Sequence, residues 1–319
     1  MKEGILSIIG NTPLVKLTRI FEDLPFNLYA KLEGFNPGGS IKDRAAHNII
    51  LRALQRGYLK PGATVIESSS GNMGIGLAQV CGFYGLRFIC VVDPKTTKQN
   101  LEILRAYGAH IEMVNSPDPQ TGEYLHSRID RVQTLVRSIE NSFWPDQYAN
   151  RDNSEAHHQT MYEITTELEG RVNYLFSSTS TCGTLRGCAE YVKQYYMDTR
   201  IIAVDAIGSV IFGGQSCKRL IPGHGAAVRP KLHTPDLAHQ CVQVSDIECV
   251  IGCRRLLKKE AILAGGSSGA VISALDRVKG TITKGTNCVL ILPDRGERYL
   301  DTIYSDSWVN EHLGEMPNL

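Results

Sequence analysis

Short apolar or alternating runs recur along the chain, and stretches of helical periodicity separate them. We predict a helix from Ser40, as its N-cap, to about Gly57, because an acidic residue follows three positions later. Strands that alternate with helices usually pair in parallel, so the pattern predicts an α/β fold. The runs typical of strands occupy residues 27–33, 64–67, 87–92, 110–114, 173–177, 200–206 and 287–292.

The least regular stretch covers residues 207–243 and is rich in glycine and proline. A segment of this length without periodicity is usually functional or mobile. The chain also changes character around residues 34–36 and 144–150. We therefore expect a smaller, mobile α/β lobe at 35–145 and a larger α/β lobe formed by 1–34 plus 146–319.

Composition narrows the class of protein. The 319 residues are 42% hydrophobic and 21% charged, which is typical of a globular protein with a substantial core. A net charge of +1 gives no reason to expect nucleic acid as a partner. No apolar run is long enough to span a membrane and the start lacks a signal peptide, so we expect a cytoplasmic protein without a membrane partner.

The cysteines favour a reduced protein without a metal centre. Nine of them are scattered along the chain, and none forms a Cys-x-x-Cys pair. Cys249 and Cys253 are four residues apart, and we interpret them as two buried thiols on one face of a helix. No metal ligand is predicted.

Ligands of open α/β sheets bind beyond the carboxyl ends of the strands, which directs attention to the loops there. In "NPGGSIKDR", residues 36–44, Lys42 lies in the predicted first turn of a helix. The helix dipole and partial burial would both lower the pKa of its amine, and a neutral amine is the nucleophile of a Schiff base. The simpler alternative is a surface lysine after a glycine-rich turn.

Two further strand-end loops carry hydroxyl and backbone N–H groups. Residues 67–76 offer a nest for a carboxylate or phosphate, although an ordinary capped turn would look the same. Their glycines are spaced G-x-x-G-x-G, which excludes the dinucleotide fingerprint and disfavours a dehydrogenase. Residues 177–187 resemble a phosphate cup, and the absence of a P-loop motif disfavours ATP chemistry.

Five motifs resemble the cysteine synthase/cystathionine β-synthase family of fold-type II enzymes, which depend on pyridoxal 5′-phosphate (PLP). They are "GNTPLVKL" (10–17), "KLEGFNPGGSIKDR" (31–44), "SSGNMGIGLA" (69–78), "GGSSGAV" (265–271) and "LPDRGERYL" (292–300). The resemblance implies two doubly wound α/β lobes with the cofactor between them, PLP binding by the larger lobe, and a homodimer. It also implies small amino-acid substrates.

The resemblance assigns roles to residues that match the family motifs. Lys42 would carry PLP covalently and act as general base, and Asn72 would bond the cofactor's 3′-oxygen. Ser267 would contact the pyridine nitrogen and leave it unprotonated, which favours α,β-elimination. The phosphate cup would be Ser180, Thr181, Cys182, Gly183 and Thr184. The substrate-binding residues would be Ser69, Ser70, Gly71, Met73 and Gln147.

Departures from the family pattern point to a branch of it. The cup reads Ser-Thr-Cys-Gly-Thr instead of Gly-Thr-Gly-Gly-Thr, and "DQYANRDN" places Tyr148 where phenylalanine is usual. Such departures resemble enzymes that join O-phospho-L-serine to L-glutamate on the route to L-2,3-diaminopropionate and siderophores. A second amino acid needs a phenol and a cation, for which Tyr148 and Arg128 are our candidates.

Several alternatives remain open at this point. Arg128 could instead belong to a solvated helix face shared with Arg131. The leaving group could be phosphate or acetate, and the acceptor could be sulfide, as in a cysteine synthase. A non-catalytic regulatory relative is a further alternative, which the intact Lys42, Asn72 and Ser267 disfavour.

Overall fold

Strands and helices alternate along the described residues, 3–119 and 122–315, of the computed structural model. The strands are β1 Leu14–Lys16, β2 Asn27–Leu32, β3 Thr64–Ser68, β4 Arg87–Val92, β5 His110–Met113, β6 Ser142–Phe143, β7 Tyr174–Ser178, β8 Arg200–Ala206, β9 Gln240–Val244 and β10 Asn287–Leu292. The α-helices are α1 Lys42–Gln55, α2 Asn72–Phe83, α3 Lys98–Ala106, α4 Tyr124–Ser138, α5 Arg151–Glu167, α6 Gly183–Gln194, α7 Asp246–Glu260, α8 Gly266–Val278 and α9 Asp306–Leu313. Among these helices, none is long and apolar enough to cross a membrane.

The smaller unit contains residues 3–9 and 42–153 of the described chain. Its sheet has the order β5-β4-β3-β6, and every neighbouring pair is parallel. Side chains of β3 alternate between two cores, because Val65 packs with α1 and α2 whereas Ile66 packs with α4. Both faces are thus covered by helices, as expected for a parallel sheet.

The larger unit contains residues 10–41 and 154–315. Its sheet has the order β1-β2-β10-β7-β8-β9, in which only the β1–β2 pair is antiparallel. Successive residues of β10 again face opposite cores, with Leu290 on the side of α7 and α8 and Ile291 on the side of α6. The carboxyl ends of β7, β8 and β10 therefore share one edge, where ligands of such sheets bind.

The observed units differ in their boundaries from the lobes expected at 35–145 and at 1–34 plus 146–319. Residues 3–9, expected in the larger lobe, group with the smaller unit, and residues 35–41 group with the larger one, because the Ile41 amide donates to the Pro293 carbonyl at 2.8 Å. Residues up to Asn153 group with the smaller unit, because the Asn153 side chain donates to the carbonyl of Gln147 at 2.7 Å. The mobility of the smaller lobe stays a prediction.

Helix α1 begins at Lys42, so the prediction of Ser40 as its N-cap was wrong. Ser40 forms an antiparallel bridge with Asp294, and the Ile41 amide donates a hydrogen bond to the carbonyl of Pro293. Because these backbone groups pair as a strand does, the helix starts two residues later. Lys42 is consequently the first residue of the helix.

The seven strands predicted from the sequence correspond to observed strands, and each boundary agrees to within one residue. The segment 207–243 is irregular up to residue 239, and β9 was missed at its end. Cys249 and Cys253 are both fully buried on α7, which confirms their interpretation as buried thiols.

Candidate active site

The backbone of Lys42 lies close to α2 in the smaller unit. A Cβ atom added to Gly76 would come within 3.1 Å of the Ala46 Cβ and 3.3 Å of the Lys42 carbonyl oxygen. Glycine at position 76 thus lets the start of α1 approach the first turns of α2. The lysine is half-buried there.

The loop before α2 is held by its own side chains and by α3. The Ser69 hydroxyl accepts hydrogen bonds from the amides of Gly71 at 3.4 Å and Gly74 at 2.9 Å. The Asn100 side chain donates to the carbonyl of Ser70 at 3.0 Å. Met73 packs in the core, so only its backbone faces the loop. Asn72 is half-buried as the first residue of α2, and the N-terminus of a helix is a position that favours an anion.

Gln147 lies beside the same loop. Its side-chain amide donates to the Ser68 carbonyl at 3.1 Å, and its backbone N–H donates to the Glu67 carboxylate at 3.1 Å. Tyr148 follows and is half-buried. The structure therefore brings Gln147 to the carboxyl end of β3, where the loop 69–73 begins.

On α4, the side chain of Arg128 is less exposed than that of Arg131, one turn later. The Arg128 Nε lies 3.3 Å from the Asp93 carboxylate. The Arg128 side chain is 12% exposed, against 41% for Arg131. Arg131 pairs instead with Glu112 at 2.8 Å. These side-chain exposures and partners disfavour the alternative of one solvated face shared by both arginines.

The guanidinium of Arg128 keeps donors for a ligand. Among the described residues, its Nη1 has no hydrogen-bond partner although it is buried. Asp93 directly follows β4, next to the strand whose end carries Ser69. Arg128, Gln147, the loop 69–73 and the start of α1 thus lie on the carboxyl side of one sheet. A buried N–H without an acceptor is costly, so a bound carboxylate would stabilise this arrangement.

In the larger unit, the predicted cup follows β7 and opens α6. The first N–H groups of a helix lack intrahelical acceptors and attract anions, and here the Gly183 amide donates to the Thr181 hydroxyl at 3.3 Å. Thr184 contacts the buried His157 ring at 3.4 Å, and His157 in turn contacts Thr160 at 3.3 Å. This chain of contacts fixes the Thr184 hydroxyl. Ser180, the first residue of the cup, is half-buried.

The backbone conformation at Cys182 explains why glycine is usual at the third position of the cup. Its φ of 64° lies in the left-handed region, which carries a steric penalty for residues with a Cβ. Burial raises the pKa of its thiol to about 12, with Asp205 contributing, so the thiol is uncharged at neutral pH. It therefore adds bulk to the cup without adding negative charge beside a phosphate.

Replacing Cys182 with glycine is expected to change the free energy of unfolding by less than about 1 kcal/mol, because relief of left-handed strain offsets the lost burial. Valine at the same position should destabilise the protein by more than about 2 kcal/mol, since a β-branched residue fits this region poorly. Chemical denaturation would measure both. Cys188, buried in the helical part of α6, is the matched control and should show the opposite order. Equal effects at the two positions would contradict the role of φ.

Ser267 lies in the first turn of α8, 7% exposed. The helix is fixed against α7 at two glycines, since a Cβ on Gly252 would overlap the Gly269 carbonyl and one on Gly269 would overlap the Cys249 carbonyl. This close approach sets the position of Ser267 through the backbone. Next to it, the Ser268 hydroxyl is fully buried and has no hydrogen-bond partner among the described residues.

These features fit a phosphorylated cofactor. The start of α6 offers N–H groups and hydroxyls for a phosphate, and the start of α8 offers serine hydroxyls, one of them without a partner among the described residues. Lys42, in the smaller unit, supplies the amine that PLP requires. Each unit by itself thus offers groups that suit PLP: Ser180–Thr184 and Ser267 in the larger unit would suit its phosphate and ring nitrogen, and Lys42 and Asn72 in the smaller unit would suit its aldehyde and 3′-oxygen.

The sequence analysis overlooked two groups that touch the predicted residues. His157 contacts Thr184, and Glu67 contacts Gln147. Glu67 had a visible signal, since it is a charged residue at the end of an otherwise apolar run. His157 had none, because a histidine within a polar helix sequence does not reveal its burial.

Comparison with known proteins assigns the chain to a family. A model of the family described as "Pyridoxal-phosphate dependent enzyme" matches residues 5–294. N-(2-amino-2-carboxyethyl)-L-glutamate synthase of Ralstonia nicotianae is 46% identical over 308 residues, covering 96% of this chain and 91% of the relative.

Solved structures give the same result. Cysteine synthase of Entamoeba histolytica superimposes with a TM-score of 0.89 at 31% identity, covering 99% of this chain and 96% of the other. An O-acetylserine dependent cystathionine β-synthase of Helicobacter pylori gives 0.87 at 33% identity, covering 94% and 98%. O-ureido-L-serine synthase gives 0.87 at 30% identity, covering 98% and 96%. The chain therefore belongs to the family of pyridoxal-phosphate dependent enzymes, with the fold-type II architecture that the sequence predicted.

Proposed function

We propose that the enzyme carries out β-replacement on O-phospho-L-serine with L-glutamate as the acceptor, forming N-(2-amino-2-carboxyethyl)-L-glutamate and phosphate. The observation that carries this proposal is Arg128, a buried guanidinium on the same side of the sheet as the loop 69–73. The relative from Ralstonia nicotianae bears the name of this activity and supports the choice of acceptor.

The chemistry divides between the cofactor and the chain. When bound, PLP withdraws electrons from the α-carbon of the amino acid, so that the α-proton becomes acidic and the β-substituent can leave. Lys42 Nζ would take this proton as general base and return it at the end of the cycle. Ser69, Ser70, Gly71, the Met73 backbone and Gln147 would hold the substrate carboxylate, and Ser180–Thr184 would hold the cofactor phosphate.

The acceptor distinguishes this reaction from cysteine synthesis. Sulfide carries no carboxylate, so a cysteine synthase needs no cation for a carboxylate in its acceptor site. L-Glutamate brings two carboxylates, and Arg128 could receive one of them in a bidentate manner while the Tyr148 phenol bonds the second amino acid. The ion pair with Asp93 would fix the position of the Arg128 guanidinium and leave its other N–H donors for the acceptor.

A competition tests the acceptor directly. The purified protein receives O-phospho-L-serine with equal L-glutamate and sulfide, and the product is identified by mass spectrometry. A glutamate adduct as the main product supports the proposal. Cysteine as the main product would favour the second candidate, a cysteine synthase, which the similarity to the Entamoeba histolytica enzyme makes the natural alternative. Repeating the experiment with O-acetyl-L-serine would decide the leaving group.

Replacing Arg128 with alanine is expected to raise the KM for L-glutamate by about 10-fold to 100-fold, because a charge-assisted hydrogen bond is lost. The KM for the activated serine should change by less than about 3-fold. Steady-state kinetics measure both values. Arg131→Ala is the matched control, one turn along α4 with a more exposed side chain, and should leave both unchanged. A rise in both KM values for Arg128→Ala would argue for a general structural role.

Three further assignments belong to the same proposal. The resemblance to cysteine synthases supports a homodimer, which sedimentation of the purified protein would test. The composition supports a cytoplasmic location. The product, a precursor of L-2,3-diaminopropionate, would suit siderophore or related secondary-metabolite biosynthesis.

A further inference from the structure

Strand β3 ends in a buried acid that the mechanism above does not use. Glu67 is 2% exposed and is the only charged residue of this five-residue strand. Carboxylates are rarely buried unless their charge is hydrogen-bonded. The neighbours of Glu67 therefore indicate what its burial achieves.

The Glu67 carboxylate joins two segments of the smaller unit. Its Oε1 accepts from the Ser68 amide at 2.8 Å and from the Trp144 indole at 3.3 Å. Its Oε2 accepts from the backbone N–H of Gln147 at 3.1 Å. The Gln147 side chain closes the connection by donating to the Ser68 carbonyl at 3.1 Å. Residues 144–148 are thus tied to the strand end from which the loop 69–73 departs.

We propose that Glu67 is a positioning residue that orients Gln147, through its ionised carboxylate, toward the carboxylate of the amino-acid substrate. The inference rests on the proposed function, because Gln147 is a substrate-binding residue only in that reaction. Glu67 itself would touch neither substrate nor cofactor. It acts by fixing the backbone N–H of Gln147, which in turn fixes the side-chain amide.

All the groups that bond the carboxylate are donors, so the ionised form is the one that holds the segment. A protonated oxygen would present its own hydrogen to one of these N–H groups, and that contact would be lost. Burial raises the pKa of Glu67 to about 7, with nearby Asp146 contributing, against the hydrogen bonds that lower it. Cys90 on β4 also faces Glu67, and Arg128 and Asp93 lie beyond Cys90.

The sign of the pH dependence follows from this pKa. Above about pH 7 the carboxylate is ionised and Gln147 is held, and below it the group takes up a proton and releases the segment. Affinity for the amino acid should therefore fall as the pH drops through this value. The experiment is a titration of the PLP-bound enzyme with L-serine, followed by the change in visible absorbance, at pH values from about 6 to 9.

For the wild-type enzyme, the Kd for L-serine should rise toward acid pH by about 10-fold more than protonation of the L-serine amine alone causes. In Glu67→Gln the Kd should be raised about 10-fold at the alkaline end and keep only the dependence that the L-serine amine causes, because the amide presents a donor where the carboxylate accepted. Glu112→Gln, on strand β5 of the same sheet, is the matched control and should keep the wild-type profile. An unchanged profile in Glu67→Gln would overturn the positioning role.

A second variant serves if Glu67→Gln fails to fold. Trp144→Phe removes one donor and leaves the carboxylate in place. The ionised form then loses a stabilising bond, so the acid limb of the Kd profile should move to higher pH by about half a unit. An unmoved limb would overturn the inference. A wild-type enzyme that binds no amino acid would instead overturn the proposed function, and the role of Glu67 with it.

Discussion

Replacing Lys42 with alanine is expected to lower turnover by roughly 10⁴-fold or more, because one amine serves as cofactor anchor and general base. The fold should persist, since alanine is a good first residue for α1 and the lysine is only half-buried. Turnover, the visible absorbance of the bound cofactor and thermal unfolding would be measured together. Loss of the visible band with a retained melting temperature is the expected result.

Lys98→Ala provides the matched control for Lys42→Ala. Lys98 is also the first residue of a helix, α3, in the same unit. A lysine that matters only through its helix position should behave the same at both sites. We expect Lys98→Ala to retain turnover within about 2-fold. Near-normal turnover in Lys42→Ala would refute the assignment of the catalytic amine.

Replacing Lys31 with methionine is expected to lower the free energy of unfolding by about 3–5 kcal/mol. Lys31 is fully buried on β2, with Nζ 2.8 Å from the Glu163 carboxylate and bonded to the Thr12 carbonyl at 2.6 Å. Methionine fills a similar volume but takes the positive charge away from a carboxylate that is 5% exposed, and breaking a buried ion pair from one side costs this much. The melting temperature should fall by about 10 °C.

The double variant Lys31→Met, Glu163→Gln separates charge from packing. Removing both charges should recover more than half of the lost stability, because the uncompensated carboxylate is then gone. Arg105→Ala, which breaks an exposed pair with Glu102, is the control and should shift the melting temperature by less than about 2 °C. A single and a double variant of equal stability would contradict the charge argument.

Periodicity made much of the fold predictable, because strand runs bounded by glycines are local signals. The start of α1 was not predictable, because the pairing of Ser40 and Ile41 with 293–294 joins residues about 250 positions apart. Strand β9 was hidden by the irregular segment before it, and its run "QCVQV" does not alternate strictly between polar and apolar residues. Long-range pairing thus decided the elements that the sequence left ambiguous.

The candidate site, too, was predictable from the sequence only in part. Chain order after each strand placed the loops 69–73 and 180–184 at sheet edges without any coordinates, since parallel strands share a carboxyl edge. Burial of Arg128 could not be deduced, because Arg128 and Arg131 look alike in sequence and differ only in what α4 packs against. The φ of Cys182 was equally inaccessible, although the glycine usual at that position was a hint.

The contact between α7 and α8 bears on how substitutions in this enzyme should be interpreted. Gly252 and Gly269 leave no room for a methyl group, and together they fix the helix that begins at Ser267. A mutational survey that scores only loss of activity would rank these glycines beside Lys42, although neither would reach the cofactor. Sensitivity to substitution therefore does not identify chemistry in this protein, and a spectroscopic signal from the cofactor is needed to separate the geometry of the scaffold from catalysis.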